Sequence, residues 1–423
     1  SSLVDNTVGP TGIRPQSAIR AEILGVSEEE AAEIRRACEV AWERWVDHAD
    51  ISRRENFYEI QRMVLRSIVV NGESIILPVR KDRISSPYSF ALEVIEPDRL
   101  EYPGNLDSVA GRFNRRSGVE LGKYGNPVAY WIRTNGHPGD GIYERPANNK
   151  HRRIQALDSE GNPQILHIMN STRPGQTRGE PMLAPCLQTF KDLASFTEAV
   201  LVRERVSACF SMFIQRDDPY NAAVNRSDET VNSQRIQEIE PGMVSYLAPG
   251  ENVTFGNPGP SSAGYDSFVM RHLRSIGAAL GLPYELVAKD FSQTNYSSAR
   301  AALLESRRVF GRWQNTLINH LCKPTYSMVI EEAWLRGEIP VRDFERLKSE
   351  ITRSRWVPPS YGWVDLKKEV EAAQLAIDAG LSSLAIEAAA QGRDWEQVLE
   401  QKAREEARRK ELFDADPESG DES

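Results

Sequence analysis

The side chains that could carry out chemistry in this chain do not have the spacing of a known catalytic or cofactor-binding motif. The sequence contains no phosphate loop of the GxxxxGKS or GxxxxGKT type, no dinucleotide-binding glycine fingerprint and no HExxH motif. Its histidines are scattered, which is typical of surface or satisfied core positions; they are His48, His137, His151, His167, His272 and His320. The spacing therefore predicts no catalytic residue, no metal ligand and no cofactor.

The acidic residues leave one enzymatic alternative open. Adjacent acids such as Asp217 and Asp218 lie in polar sequence without a partner base or acid. A two-metal nuclease can nevertheless assemble its carboxylates from distant positions in the chain, which a single sequence does not reveal. A metal-dependent enzyme that processes nucleic acid is therefore the alternative hypothesis, and metal-dependent cleavage of DNA would support it.

Composition restricts the compartment and the partners. The 423 residues are enough to bury cores in two or three subregions. The cysteines lie far apart without metal-type spacing, which indicates buried free thiols in a reducing compartment; they are Cys38, Cys186, Cys209 and Cys322. No apolar run approaches the roughly 20 residues of a membrane span. The net charge of −9 argues against a protein that coats DNA through a dominant basic surface.

One stretch, residues 281–321, predicts a capped turn followed by a long helix from about Tyr296 to Leu321. Small polar residues that cap helices precede the strong helix formers of this stretch; they are Thr294, Asn295, Ser297 and Ser298. Apolar residues recur every three, four or seven positions and predict one buried face; they are Leu303, Phe310, Trp313, Leu317 and Leu321. The arginines lie beside or opposite that face, at Arg300, Arg307, Arg308 and Arg312.

The amino-terminal part predicts two helices and then strands. A capping box of Ser27 and Glu30 opens a helix over residues 27–50, and a second helix over residues 54–70 ends at Asn71-Gly72. Short apolar runs bounded by Pro, Gly or Asn predict the strands of one small sheet; they are Ile75–Val79, Phe90–Ile95, Val128–Arg133 and Ile165–Met169.

The middle of the chain predicts two helices around a polar segment. A long helix is expected from about Pro181 to Gln215, with a buried side formed by Leu187, Phe190, Ala194, Thr197 and Leu201. The polar run 217–234 is expected to be exposed. Residues 243–247 and 253–255 are expected to pair as strands, and residues 265–280 to form a helix.

The carboxyl-terminal part predicts helices separated by breaks. Residues 322–334 continue the long helix, and a Pro-rich basic segment follows. A helix over residues 365–379 is capped by Gly380, and Ser383 caps the next piece. Asp394 caps a last helix that begins at Trp395.

Several phrases of the sequence resemble those of lambda-type portal proteins of tailed bacteriophages, in the same order. The phrase GLPYE followed by NYSSARAALLE resembles the family's turn and helix. Other family segments are resembled by four further phrases, namely NTVGPTGIRPQS, IEPDRLEYP, ILHIMNSTRPGQTRGEPMLAPCL and WVPPSYGWVDLKKEVEAAQLAIDAGLSS. The residues carried over from the motif and stem helices are Asn295, Tyr296, Ser297, Ser298, Arg300, Asp365 and Lys368. Relative to that family, we expect the region before the Val8-Gly9 turn and a large carboxyl-terminal crown to be missing.

The resemblance implies an α+β portal-type subunit that assembles as a ring. Its expected parts are a mixed α/β wing (1–290), a first stem helix (291–322), a clip (323–364), a second stem helix (365–380), a tunnel loop with the following helix (381–412) and an acidic tail (413–423). The stem helices are expected to bury apolar stripes against neighbouring copies. The expected tunnel loop, which approaches the duplex, is Gly380, Leu381, Ser382 and Ser383.

The resemblance also implies a function without catalysis. It implies that about twelve copies form a ring at one capsid vertex of the virion. The implied ring is assembled in the host cytoplasm and is a channel for double-stranded DNA. The implied partners are the terminase large subunit, a head-completion or adaptor protein and the major capsid protein, and no membrane. The expected clip docking residues are Arg346, Lys348, Arg353 and Arg355. Intersubunit ion pairing is the alternative role of Arg353 and Arg355, and a helical scaffold without a channel is a further alternative to the portal function.

Overall fold

The chain is an α+β protein that divides into two compact units. A computed structural model describes residues 2–84, 86–102, 114–134, 151–209, 213–216, 230–231, 234–235, 251–254, 264–292, 294–360 and 366–414. The larger unit comprises Ser1–Ala184 and Ala279–Ser423, and the smaller unit comprises Pro185–Ala278.

The described helices and strands alternate along the first part of the chain, and helices dominate the last part. The helices are α1 (Ser2–Thr7), α2 (Ala21–Leu24), α3 (Glu28–Val46), α4 (Phe57–Asn71), α5 (Leu187–Cys209), α6 (Tyr265–Leu280), α7 (Tyr284–Ala288), α8 (Tyr296–Leu317), α9 (Lys323–Leu335), α10 (Phe344–Ile351), α11 (Leu366–Asp378), α12 (Leu384–Ala390) and α13 (Trp395–Asp414). The strands are β1 (Arg14–Ser17), β2 (Glu73–Arg80), β3 (Phe90–Ile95), β4 (Asn114–Arg116), β5 (Val119–Leu121), β6 (Pro127–Arg133), β7 (His151–Gln155), β8 (Leu166–Met169), β9 (Phe213–Arg216), β10 (Thr230–Val231), β11 (Gln234–Arg235), β12 (Glu251–Thr254) and β13 (Ser354–Val357).

Reciprocal capping boxes fix the starts of α3 and α4. The Ser27 side chain accepts a hydrogen bond from the Glu30 amide while the Glu30 carboxylate accepts one from the Ser27 amide, which confirms the predicted box. Asn56 and Glu59 form the same arrangement at α4, so this helix begins at Phe57 rather than at residue 54. Gly72 ends α4 in the left-handed conformation, as predicted.

An aromatic cluster at the centre of the larger unit joins distant parts of the chain. Its rings are buried and in contact with one another; they are Trp42, Trp45, Phe57, Phe90, Tyr326 and Trp356. The Trp45 indole donates a hydrogen bond of 2.9 Å to the carbonyl of Phe90, so the largest buried ring has its polar atom satisfied.

The segment predicted as a clip belongs to this same core. The long helix continues beyond residue 322, as predicted, through a π-helical turn (Ile318–Cys322) that connects α8 directly to α9. Strand β13 pairs antiparallel with β1, from Arg14 opposite Val357 to Ser17 opposite Ser354. Apolar residues of α9 and α10 are buried in the core. In the single chain, α9, α10 and β13 therefore pack with the core of the larger unit.

The four predicted strands of the wing exist, but they belong to two sheets rather than one. Strands β3, β2 and β8 form a three-stranded antiparallel sheet, whereas β6 pairs with β5 and β7 in a four-stranded sheet that starts with β4. A second apolar cluster explains this arrangement: Tyr130 and Ile132 of β6 pack with Ile75 and Leu77 of β2. Both faces of β2 are therefore buried, since Ile76 contributes to the aromatic core.

The smaller unit differs from the prediction at both ends of its first helix. A 3₁₀ turn (Ala184–Cys186) precedes α5, and β9 replaces the end of the predicted helix because Phe213 and Ile214 pair with Thr254 and Val253 of β12. The other half of the predicted strand pair, residues 243–247, lies outside the described residues, as does most of the polar run 217–234. Helix α6 has the predicted bounds.

The last helices begin where their capping residues predicted. Gly380 adopts a positive φ of 73° after α11, and Ser383 caps α12 by accepting a hydrogen bond from the Ile386 amide. Asp394 accepts hydrogen bonds from the amides of Glu396 and Gln397 at the start of α13. Helix α13 extends to Asp414, so the predicted acidic tail is helical at its first two residues, and residues 415–423 lie outside the described part.

Candidate interaction surfaces

Helix α5 carries an apolar side that its own unit does not cover. Leu187 is 65% exposed, Phe190 is 40% exposed and Leu201 is 54% exposed. These are residues that the periodicity predicted to be buried, so this prediction was wrong for the single chain. Large apolar side chains aligned on one helix face indicate a surface that another protein covers.

The covered side of α5 lies opposite and packs on α6. The ring of Phe196 stacks on Tyr265 at 5.8 Å between centroids and contacts Phe268 at 4.0 Å. The open side, by contrast, forms a shallow hollow of about 530 Å³ with Leu193 and Arg205 among its lining residues. The unit therefore uses one side of α5 internally and leaves the other exposed.

The family-motif residues build a turn and a helix start. Asn295 accepts a hydrogen bond of 2.9 Å from the Ser298 amide and so caps α8, whose first residue is Tyr296. Ser297 and Ser298 are exposed, and Arg300 is partly exposed. These positions supply capping and solvent contact.

The apolar stripe of α8 is not available to a neighbouring subunit. Phe310, Trp313, Leu317 and Leu321 are all at most 2% exposed and belong to the aromatic core of the same chain. The expectation that this stripe packs between copies in a stem is therefore wrong. The stripe is covered within the larger unit, where α8 packs against α1 and α4.

The predicted tunnel loop is a tight turn with one exposed apolar side chain. Gly380 ends α11, and Leu381 is 85% exposed. The Ser382 hydroxyl donates a hydrogen bond of 2.6 Å to Glu387, and Ser383 caps α12. In the preceding helix Lys368 is exposed. Asp365 lies outside the described residues.

The four basic residues predicted for docking differ in their availability. Lys348 contacts Glu331 at 3.3 Å and Asn162 at 3.2 Å, and Arg353 contacts Glu350 at 3.5 Å. The Arg346 side chain is 76% exposed, with Asp343 at 3.6 Å. Arg355 lies exposed on β13. Lys348 is therefore largely covered, with a side chain that is 24% exposed, whereas Arg346, Arg353 and Arg355 remain exposed.

Glu350 also anchors the amino-terminal region. The Arg20 guanidinium donates hydrogen bonds of 2.9 and 2.7 Å to its two carboxylate oxygens, and the Arg20 amide donates a third. The hydrogen bond from Arg20 lowers the pKa of Glu350 to about 2, against the opposing effect of burial.

A buried ionic cluster around Glu73 joins both sheets and was not predicted. The Glu73 carboxylate is within 2.9 Å of His167 Nε2 and accepts hydrogen bonds from the Arg178 guanidinium and the Gly179 amide. Arg178 also donates to the carbonyls of Leu100 and Ser117 in the second sheet's region. Burial raises the pKa of Glu73, but these hydrogen bonds and positive charges outweigh burial, so the pKa lies below its ordinary value.

Two glycines allow this cluster to form. Gly72 has a positive φ of 87°, and a Cβ atom there would lie about 2.5 Å from the backbone of Glu180. A Cβ on Gly179 would lie 2.0 Å from the Gly72 carbonyl oxygen. The RPGQTRGEP phrase contains the second glycine and Arg178, and it is the one sequence signal that could have indicated this site.

A groove of about 790 Å³ separates α13 from the core of the larger unit. Trp42 and Tyr58 line one wall, and Gln397 and Lys402 line the other. Its charged lining residues have both signs, namely Arg14, Arg393, Lys402, Glu39, Glu43, Asp47, Asp394 and Glu405. This mixture does not favour one class of ligand.

The described part of the chain contains neither a group of metal-binding side chains nor a membrane-spanning helix. In that part of the chain, no three His, Cys, Asp or Glu side chains lie close enough to hold a metal ion. No helix there has the length and apolar composition needed to span a membrane.

The comparisons with known proteins agree on one family. A family model described as phage portal protein, lambda family, matches residues 1–314. A protein named "Probable portal protein" from Halomonas phage phiHAP-1 is 28% identical over 412 residues, which cover 94% of this chain and 74% of that protein. Portal protein B of Escherichia phage lambda is 24% identical, covering 92% of this chain and 76% of its own length. A chain in the neck of an empty gene transfer agent particle has a TM-score of 0.44 and 15% identity, covering 90% of this chain and 95% of that chain.

Proposed function

Because the chain belongs to the lambda family of phage portal proteins, we propose that it forms a closed ring of about twelve copies at one capsid vertex. Double-stranded DNA enters and leaves the virion through the centre of this ring. The family consists of structural proteins, so the chain is not an enzyme. The alternative of a metal-dependent nuclease has no observation that favours it.

The open apolar side of α5 is the observation that carries the ring proposal. Leu187, Phe190 and Leu201 are exposed in the single chain, although they share one helix face. In a ring with cyclic symmetry, each subunit presents one surface to one neighbour and a different surface to the other. The α5 face then becomes buried against the next copy, which removes its apolar area from water.

Two pairs of helices are candidates for the channel wall. The sequence predicted α8 and α11, but α8 buries its apolar stripe within its own subunit. Helix α5 retains an open apolar face, and its other side packs on α6. This difference supports α5, which packs on α6, as part of the wall.

The docking partners are the terminase large subunit during packaging and a head-completion or adaptor protein afterwards, while the major capsid protein surrounds the ring. The terminase ATPase supplies the energy, so ATP hydrolysis by the purified ring alone would contradict this division of roles. Arg346, Arg353 and Arg355 are the exposed members of the predicted docking set. Arg355→Glu is expected to weaken capture of terminase, with Arg342→Glu, also exposed, as the matched control.

The turn of Gly380–Ser383 is proposed to approach the DNA, as its exposure permits. Replacing Ser382 and Ser383 by Trp is expected to impair DNA passage or retention without preventing ring assembly. Loss of assembly would instead show that the turn has a structural role, which the Ser383 cap and the Ser382–Glu387 hydrogen bond could explain.

The assembled mass is the decisive measurement for the ring. Native mass spectrometry and negative-stain images of the unmodified protein are expected to show about a dozen copies around a central hole. The double variant Phe190→Ser and Leu201→Ser is expected to remain unassembled. A control double variant, Lys191→Ser and Glu204→Ser, changes exposed residues of the same helix and is expected to assemble. A compact dimer without a hole would contradict the proposal, and an open assembly without a hole would favour a scaffold.

A further inference from the structure

The solvent side of α8 and the following π-helical turn carries a row of hydrogen-bond donors. Arg308, Arg312, Asn315, Asn319 and Lys323 are exposed and follow one another at intervals of four, three, four and four residues. This spacing places them along one line of a helix, and at 1.5 Å per residue the row is about 22 Å long. We call these five residues the cationic stripe.

The stripe is held in place from behind. The opposite side of the same helix consists of Phe310, Trp313 and Leu317, which are at most 2% exposed and packed in the aromatic core. Arg312 lies over the Trp313 ring at 5.1 Å, and Lys323 donates a hydrogen bond of 2.8 Å to Asn319. Little conformational freedom of the backbone therefore remains to be lost when the stripe binds a partner.

Positive charge is concentrated here within an acidic protein. The chain has a net charge of −9, but residues 296–323 contain four arginines and one lysine against a single acid, Glu305. Glu305 contacts Arg308 at 3.2 Å, and both side chains are highly exposed, so this pair contributes little and is easily exchanged. A shallow hollow of about 640 Å³ follows the stripe, and no carboxylate lines it.

Gly311 is the feature that suggests a close contact rather than diffuse attraction. It lies in the middle of α8 and lines the hollow, but its φ is not positive, and a Cβ atom there would meet nothing within 4 Å. Glycine weakens a helix interior, and no contact within the described part of the chain requires it at this position. A missing side chain between two arginines does, however, let an external group approach the helix backbone.

We infer that the cationic stripe binds the phosphate backbone of double-stranded DNA, with phosphates seated over Gly311. Arginine, lysine and asparagine are side chains that donate to phosphate oxygens without reading base sequence. Over about 22 Å, one strand presents about six phosphates, which suits a row of five donors. The π-helical turn beneath Asn319 and His320 is a further irregularity of the kind that occurs at functional sites.

This inference deepens the proposed function and rests on it, because a DNA channel needs surfaces that meet the duplex. Binding of a short fluorescent DNA duplex to the full chain is measured by anisotropy over a range of salt concentrations. The triple variant Arg308→Gln, Arg312→Gln and Lys323→Gln is expected to weaken binding by about tenfold or more at low salt. It is also expected to reduce the slope of log affinity against log salt by about 2 to 3.

Two matched variants separate a built site from general charge. A second triple variant removes the same charge from other exposed positions, namely Arg393→Gln, Lys402→Gln and Arg404→Gln. It is expected to change the affinity for the duplex less than twofold. Gly311→Leu removes no charge and is expected to weaken binding severalfold, because its side chain occupies the position of the phosphates. Equal loss in both triple variants, or unchanged binding by Gly311→Leu, would overturn the inference.

A competing partner and the ring are tested in the same samples. A peptide with the acidic sequence of residues 413–423 is expected to compete poorly with the duplex; tighter, stripe-dependent binding of that peptide would overturn DNA as the partner. Native mass spectrometry of the triple variant reports assembly independently. Rings whose DNA affinity does not depend on the stripe refute this inference alone, whereas stripe-dependent binding without rings refutes the proposed function alone.

Discussion

The aromatic core of the larger unit and helix α5 of the smaller unit bury their apolar residues in different ways. In the core, Trp45 is completely buried and its indole nitrogen is satisfied by the Phe90 carbonyl. On α5, Leu187 and Leu201 keep more than half of their surface exposed. The core is covered within one chain, whereas the α5 face stays exposed in it, which is typical of surfaces that bind other proteins.

This difference separates two requirements that one sequence has to meet. Residues of the core determine whether a subunit folds, so their substitution should lower the free energy of unfolding of a single chain. Residues of the open face should affect that free energy little and association strongly. Stability of the dissociated subunit and assembly are therefore the two measurements that test the comparison.

The largest effect on the subunit is expected from Trp45→Ala. This change removes a fully buried ring that stacks on Phe90 and leaves a cavity, so it should lower the free energy of unfolding by about 4 kcal/mol. Urea unfolding of dilute protein, followed by far-ultraviolet circular dichroism, measures it. A loss below about 1 kcal/mol would mean that the core is not the principal source of stability.

A second large effect is expected from Arg178→Gln. Glu73 is 2% exposed, so its buried negative charge needs the positive charge and hydrogen bonds of the Arg178 guanidinium. Removal of the guanidinium should lower the free energy of unfolding by about 3 kcal/mol. Arg173→Gln changes an exposed arginine of the same loop and should cost less than about 0.5 kcal/mol. Equal urea midpoints for the two variants would show that the Glu73 cluster does not stabilise the fold.

Local signals in the sequence predicted the starts of several helices correctly. The Ser27 box, the Asn295 cap, the Ser383 cap and the Asp394 cap are all interactions between residues at most three positions apart. Such interactions are readable because side chain and amide belong to the same short segment. The resemblance of several phrases to one family likewise survived the comparison with known proteins.

Contacts between residues far apart in the sequence could not be predicted in the same way. The resemblance implied a clip over residues 323–364, a segment that prolines and glycines interrupt, yet its strand β13 pairs with β1 more than 300 positions earlier in the chain. Glu73 meets Arg178 across 105 positions, and no periodicity links the two. The periodicity of α5 identified an apolar face, but periodicity does not say whether the same chain or another copy covers that face.

A smaller, pH-dependent effect is expected at the anchor of the amino-terminal region. Since the folded-state pKa of Glu350 is lowered to about 2, its ionised form stabilises the fold above the unfolded-state pKa. That stability is lost as pH falls from about 5 toward 2. Arg20→Ala should lower the melting temperature at neutral pH and should lower it less near pH 3.

Thermal unfolding of this variant and of the unmodified chain at a series of pH values tests the sign. The difference between them should narrow on acidification, because protonated Glu350 no longer pairs with Arg20. Arg62→Ala, in an exposed pair with Glu59, is the control and should show a small difference that changes little with pH. A difference in melting temperature between Arg20→Ala and the unmodified chain that grows in acid would contradict a stabilising pair of Arg20 with ionised Glu350.

The smallest effect on the single chain is expected from Leu201→Ala. Its side chain is already 54% exposed, so truncation removes little buried area, and alanine favours the helix; the free energy of unfolding should change by less than about 0.5 kcal/mol. The same change should raise the concentration at which rings form, measured by light scattering or native mass spectrometry. Loss of stability in the dissociated subunit would mean that α5 is covered within its own chain. An unchanged stability with weakened assembly would instead show that this leucine is buried only between copies.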